Sequence, residues 1–217
     1  MDGRPDATAS LLARVAAIWE SLADADTGRL AACTRSSWYP AGAGAGEFRL
    51  PVWGREARVA LPGFAASWAG DAAPADPLTS ALLAYYFETS DGTPESGRRI
   101  AFSELRHGTF YAQAFQGYTG SHLERAFGAD HAAFEAAALC LGGLPEALAD
   151  RAFSFRALPL VSLAVACWLG DEDFGPSYRV LFDAAVGHHL PTDVCAVAGS
   201  TLTRRLIAVH VGRLGRD

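Results

Sequence analysis

A chain of 217 residues, half of them apolar and 19% charged, is long enough to bury a substantial core. Its formal charge of -6 and pI near 5.5 leave no basic surface for a phosphate backbone, since Arg98-Arg99 and Arg204-Arg205 are too small for that task. All 18 basic residues are arginine and asparagine is absent, which excludes Schiff-base lysine chemistry, pyridoxal phosphate attachment, a Walker A loop and N-glycosylation.

The N-terminal stretch "MDGRPDATASLLARVAAIWESLADAD" is interrupted by Arg14 and Glu20, unlike a signal peptide. No apolar run is expected to reach the ~20 residues that cross a bilayer. The expectation is a cytoplasmic protein with neither membrane nor nucleic acid as partner. The four cysteines, Cys33, Cys140, Cys167 and Cys195, form no C-x-x-C pair, and the last three sit in apolar runs as reduced core thiols.

The first helix is expected at about 9–23, capped by Thr8 or Ser10, with Leu11, Leu12, Val15, Ile18, Trp19 and Leu22 on one face. "AGAGAG", 41–46, reads as a flexible loop. In "EFRLPVWGREARVAL", Phe48, Leu50 and Val52 alternate before a turn near Gly54-Arg55, and Val59 and Leu61 follow it. Pro51 marks an edge position, because proline donates nothing to a ladder.

Asp76 and Pro77 suit the N-cap and first position of a helix whose Leu78, Leu82, Tyr85 and Tyr86 face inward. A short strand at 100–102, a turn at Gly108 and a helix through Phe110 and Phe115 come next. "ADHAAFEAAALCLGG" is a helix from cap Asp130 to stop Gly142.

In the last third, Val161, Leu163, Val165 and Cys167 alternate with Ser162, Ala164, Ala166 and Trp168, and "SYRVLFD" answers as a second strand. A final helix spans about 192–214. Hairpins with helices in blocks imply an α+β domain: an antiparallel or mixed sheet with hairpins, covered by helices, with a C-terminal helix. The whole of 1–217 is expected as a single domain. No G-x-G-x-x-G follows a strand, which argues against a Rossmann fold.

Two stretches, "GRRIAFSELRHGTFYAQAF" and "ALPLVSLAVACWLGDEDFGPSYRVLFDAAVGHHLPTDVCAVA", resemble the bacterial and archaeal family called domain of unknown function 3786. Phe102, Leu105, Gly108 and Tyr111 carry the first part of that likeness. Trp168, Asp171 to Phe174, Pro176, Leu181 to Asp183 and Leu190 to Asp193 carry the second. The likeness covers about 48–207. It implies association with iron–sulfur and corrinoid proteins of one-carbon metabolism, although this chain has no cluster-binding cysteines.

Three stretches are candidates for chemistry, each with a bland alternative. In "GDEDFGP", Asp171 and Asp173 point to one side of an extended segment and are candidate Mg²⁺ ligands, with Glu172 pointing away, unless the acids are only a wet hairpin tip. "SELRHGTFY" offers Glu104, Arg106, His107 and Tyr111: an acid/base set of Glu104, His107 and Tyr111, or a cofactor contact through Arg106 and His107. The alternative there is a surface Glu104–Arg106 pair beside a glycine turn. In "GHHLPTD", His188 or His189 is a candidate axial ligand to haem or corrinoid, and Asp193 favours a helix N-terminus.

These residues lead to an expected small-molecule or cofactor-binding protein, with a tetrapyrrole as candidate ligand. One alternative is an accessory protein docked on an iron–sulfur or corrinoid enzyme. The other is an acid/base enzyme using His107 and Glu104 on an unknown substrate.

Overall fold

The computed structural model describes residues 7–42, 44–70, 73–171 and 173–214. Glu172, the middle acid of the 171–173 run, lies outside them. The chain divides into two compact units that interleave in sequence. The first takes in the residues to Pro94 with Leu158–Leu160 and His188–Pro191, and the second takes in Glu95–Ala157, Val161–Gly187 and the chain from Thr192.

In the first unit, α1 (Ala7–Ser21) buries Val15, Ile18 and Trp19 but leaves Leu12 44% exposed, so its apolar stripe serves two surfaces. Thr8 and Ser10 lie inside the helix rather than capping it. A second helix, α2 (Thr27–Thr34), was not legible in the sequence: only Leu30 and Thr34 are buried, too few to make a period. Asp26 caps it by accepting from the Arg29 amide at 2.6 Å.

Four strands then meander antiparallel in spatial order: β1 (Ser37–Gly42), β2 (Ala45–Val52), β3 (Arg55–Leu61) and β4 (Ala65–Trp68). The expected loop at 41–46 is thus the end of β1 and the start of β2. Gly46 is needed there because a Cβ would meet the Trp38 ring at 2.5 Å. Phe48, Leu50 and Val52 face inward as expected, and Val59 answers them. Pro51 is tolerated in an inner strand because β1 pairs no further along β2 than Arg49, leaving a local edge.

Asp76 caps α3 (Pro77–Thr89) through the amides of Leu78 and Thr79, with Pro77 at the first helical position. Leu82 and Tyr86 are buried, and so are Leu83, Ala84 and Phe87, which puts this helix inside the unit on more than one face. Phe87 meets Phe48 at 5.0 Å and Trp19 at 5.7 Å, joining sheet, α1 and α3 in one aromatic core.

The second unit is built on a five-stranded antiparallel sheet. Its strands are β5 (Arg99–Ala101), β6 (Leu144–Pro145), β7 (Arg151–Leu158), β8 (Val161–Trp168) and β9 (Ser177–Asp183), ordered β5-β9-β8-β7-β6. Helices α4 (Ala112–Tyr118), α5 (Gly120–Phe127), α6 (His131–Cys140) and α7 (Thr192–Leu214) complete the unit. Phe115 lies 5.8 Å from Phe182, and Phe134 lies 5.3 Å from Tyr178, so the helices cover the face of β9 carrying those rings. Asp130 caps α6, and Gly142 follows its end. The fold is α+β, with both sheets antiparallel, so the mixed alternative falls away.

α7 is long and apolar enough by length and composition to cross a membrane over Thr192–Gly212, contrary to the expectation that no stretch would be. It packs against α5 and α6, burying Val194, Cys195, Ala198, Leu202 and Leu206. Cys167 and Cys195 are buried, whereas Cys140, expected in the core, is exposed at the end of α6.

Asp183 is the buried carboxylate of the second unit, 2% exposed. Its Oδ1 accepts from the Ser96 amide, the Ser96 hydroxyl and the Ala185 amide, and its Oδ2 from the Gly97 amide, all at 2.8–3.0 Å. Burial alone pushes its pKa up, but these four donors outweigh burial and hold it below the ordinary carboxylate value. A lowered folded pKa means stability fully present above the unfolded value, near 3.9, and lost as pH falls through the folded one. Asp183→Asn should cost ~2–3 kcal/mol at pH 7 in urea unfolding. It should also flatten the acid limb below about pH 4; an acid limb identical to that of the unchanged protein would show that Asp183 is not the titrating group.

Candidate functional site

The α1 sequence places Leu12, Val15, Ala16, Trp19 and Glu20 at steps of one to four that keep them along one side of the helix, and Ala23 follows in the turn after it. In the first unit this side forms one wall of a cleft of about 520 Å³. Across from it stand Leu61, Pro62, Gly63 and Phe64 of the β3–β4 turn, with Ala66 and Ser80. The Trp19 and Phe64 rings stack at 4.8 Å with planes 6° apart. Phe64 holds φ 49°, a left-handed backbone that costs a non-glycine residue about 1–2 kcal/mol, and its ring is nevertheless 4% exposed. Packing against Trp19 keeps it there.

Glu20 is the sole ionisable side chain among the described lining residues. The Ser80 hydroxyl donates to the Ala75 carbonyl at 3.3 Å, which leaves its oxygen as an acceptor. The lining is otherwise apolar, as in small-molecule sites generally. None of the candidates named from sequence lies in this cleft.

The adjacent histidines, also in the first unit, differ sharply. His189 is fully buried: its Nε2 donates to the Thr93 carbonyl at 3.0 Å and its Nδ1 meets the Ser90 hydroxyl at 3.2 Å, so both nitrogens are engaged. His188 is half exposed, and its Nδ1 lies 2.8 Å from an Asp91 carboxylate oxygen, with Thr93 Oγ1 at 3.3 Å. The hydrogen bond from the Thr93 hydroxyl and the one from His188 hold the Asp91 carboxyl well below the usual range. A carboxylate on Nδ1 orients the ring and leaves Nε2 as the nitrogen for a proton or a ligand. The Asp91 partner, far away in sequence, was missed.

In the second unit, Glu104 accepts from the Ala101 amide at 2.7 Å and lies 4.0 Å from Arg98, so it caps its own turn rather than pairing with Arg106. His107 and Arg106 are exposed, and Tyr111 is 65% exposed. The Arg106 carbonyl accepts from Thr192 Oγ1 at 2.7 Å. All four side chains thus stand exposed on a surface turn.

Asp171 closes its own loop: its Oδ1 accepts from the Asp173 and Phe174 amides at 2.9 and 2.8 Å. Those backbone bonds hold its carboxyl low, and the arrangement is a turn device at a hairpin tip. No group of three metal-binding side chains occurs among the described residues. A further pairing that the sequence did not suggest is Cys167 Sγ with His131 Nδ1 at 3.7 Å. Burial pushes that thiol up, opposite to what a nucleophilic thiolate needs.

A family model described as "Domain of unknown function (DUF3786)" matches residues 33–205. The chain belongs to this family. No curated protein and no solved structure matches it. The DUF3786 match takes in the β3–β4 turn and α3 of the cleft but not α1, which precedes it. The residues that carried the family likeness are mostly packing devices. Phe102 stacks on Phe115 at 4.2 Å, Leu105 and Leu190 are buried, and a Cβ on Gly108 would collide with the Phe102 carbonyl.

His107 sits at φ 61°, a left-handed backbone that glycine adopts at no cost. His107→Gly should therefore leave the protein unchanged or up to ~1 kcal/mol more stable in urea unfolding. A loss would show that the imidazole makes a stabilising contact.

Proposed function

We propose that this DUF3786 member is a small-molecule-binding protein whose site is the cleft of the first unit. The observation that carries the reading is the aromatic wall: Trp19 stacked on Phe64, held in a left-handed turn, beside an apolar opening. A position that holds a bulky residue in a disfavoured backbone marks a surface whose shape is under constraint. The lining supports a small apolar ligand better than a tetrapyrrole there. Haem or corrinoid would call for an imidazole at the metal and cations at its carboxylates, and the described lining has no histidine and no arginine. His188, with Asp91 behind it, is the better axial-ligand candidate, and a coloured complex with added haem would support that second reading. The four free thiols suit a reducing compartment, in keeping with a cytoplasmic protein.

Titration with N-phenyl-1-naphthylamine, a neutral apolar fluorophore, should give a saturable rise in emission. Ala16 lines the cleft and is exposed, so Ala16→Leu fills it with little expected change in stability, within about 0.5 kcal/mol. Affinity should fall at least about tenfold in that variant, by loss of the room the probe occupies. Undiminished binding in a folded Ala16→Leu protein would remove the cleft as the site.

A further inference from the structure

We infer that the cleft of the first unit takes an amphiphilic amine, an apolar chain or ring bearing an ammonium group, with Glu20 as its counter-charge. This rests on the cleft being a ligand site and adds the chemical class. Two independent features point the same way. Glu20 is the ionisable side chain of the described lining, and among the described residues no guanidinium neutralises it. Arg14, close by in sequence, lies on the far side of α1: at about 100° per residue it stands roughly opposite the stripe formed by Leu12 and Ala16.

The second feature is Ser80. Its hydroxyl donates to the Ala75 carbonyl at 3.3 Å, which leaves the oxygen lone pairs able to accept from a ligand in the cleft. Glu20 and the Ser80 oxygen can both accept, and an ammonium, with three donors and no acceptor, complements them. A carboxylate ligand would meet like charge from Glu20, whatever it gained from the Trp19 indole N–H. In a chain with 18 arginines, a lining without one is a selective surface. Ala16 lies one helical turn before Glu20 and Ala23 stands in the turn after α1, and their small side chains leave space for a chain end beside the carboxylate.

The test is displacement of N-phenyl-1-naphthylamine by three probes of equal chain length, decylammonium, decanol and decanoate, at pH 7 and low ionic strength. The expected order is decylammonium, then decanol, then decanoate, with steps of about two- to fivefold because Glu20 is exposed and solvent screens it. Added salt should narrow the spread. In Glu20→Gln the preference for decylammonium over decanol should vanish while decanol binds as before. Glu124→Gln, which removes one charge at an exposed position of α5 in the second unit, should leave the preference intact. Equal affinities for decylammonium and decanol, or a preference that survives Glu20→Gln, would overturn the amine assignment while leaving the cleft as an apolar site. Failure of all three probes, and of the fluorophore itself, would overturn the cleft reading and this one with it.

Discussion

The Asp183 carboxylate is the constraint on which the second unit turns. It ends β9, and its four donors come from two directions: Ser96 and Gly97, which lead into β5, and Ala185, which leads away from β9. β5 pairs with β9 over only three residues, a short ladder for an edge strand, so the carboxylate supplies what strand pairing lacks. The bond from the Ala184 amide to the Arg98 carbonyl extends the same junction. Arg99 then reaches back over the sheet. It pairs with Glu146 through two nitrogens and donates to the Ser162 hydroxyl at 2.8 Å, so one side chain touches segments at both edges and the middle. With its guanidinium 10% exposed and matched on every side, this pair is of the kind that fixes geometry more than it adds stability.

That economy explains why recognisable family residues revealed architecture rather than chemistry. Phe102, Leu105 and Gly108 shape the turn between β5 and α4; Phe182 and Asp183 close β9; Leu190 is buried ahead of α7. Each answers a steric or hydrogen-bonding demand that the backbone would make whatever ligand the protein held. The acids 171 and 173 belong with them, since Asp171 spends its oxygen on the amides of its own loop. A motif dense in polar residues can be a turn solved by side chains.

Legibility followed period and punctuation. β2, β3, β8, β9, α3, α6 and α7 were readable because alternation or a cap with proline or glycine marked them. α2 escaped because eight residues with two buried positions carry no period, and the glycine-rich segment at 41–46 escaped because composition resembles a loop while Gly46 serves a close ring contact. The candidate site was harder still. Its lining comes from α1, the β3–β4 turn and α3, and nothing in any one stretch announces the cleft. The Asp91–His188 pair spans 97 residues of sequence and is likewise invisible without the fold.

The α1 stripe shows how one amphipathic helix is divided between the core and the wall of a cleft. Val15, Ile18 and Trp19 are buried; Leu12 and Ala16 are apolar yet line the opening. Trp19 belongs to both sets, touching Phe87 on the core side and Phe64 on the cleft side. Any ligand that presses on Phe64 therefore presses on a ring whose other neighbours hold the sheet and α3. On the proposed reading, occupancy of the cleft and stability of the first unit are coupled through that one indole, since a ligand that binds only the folded state raises stability with its concentration.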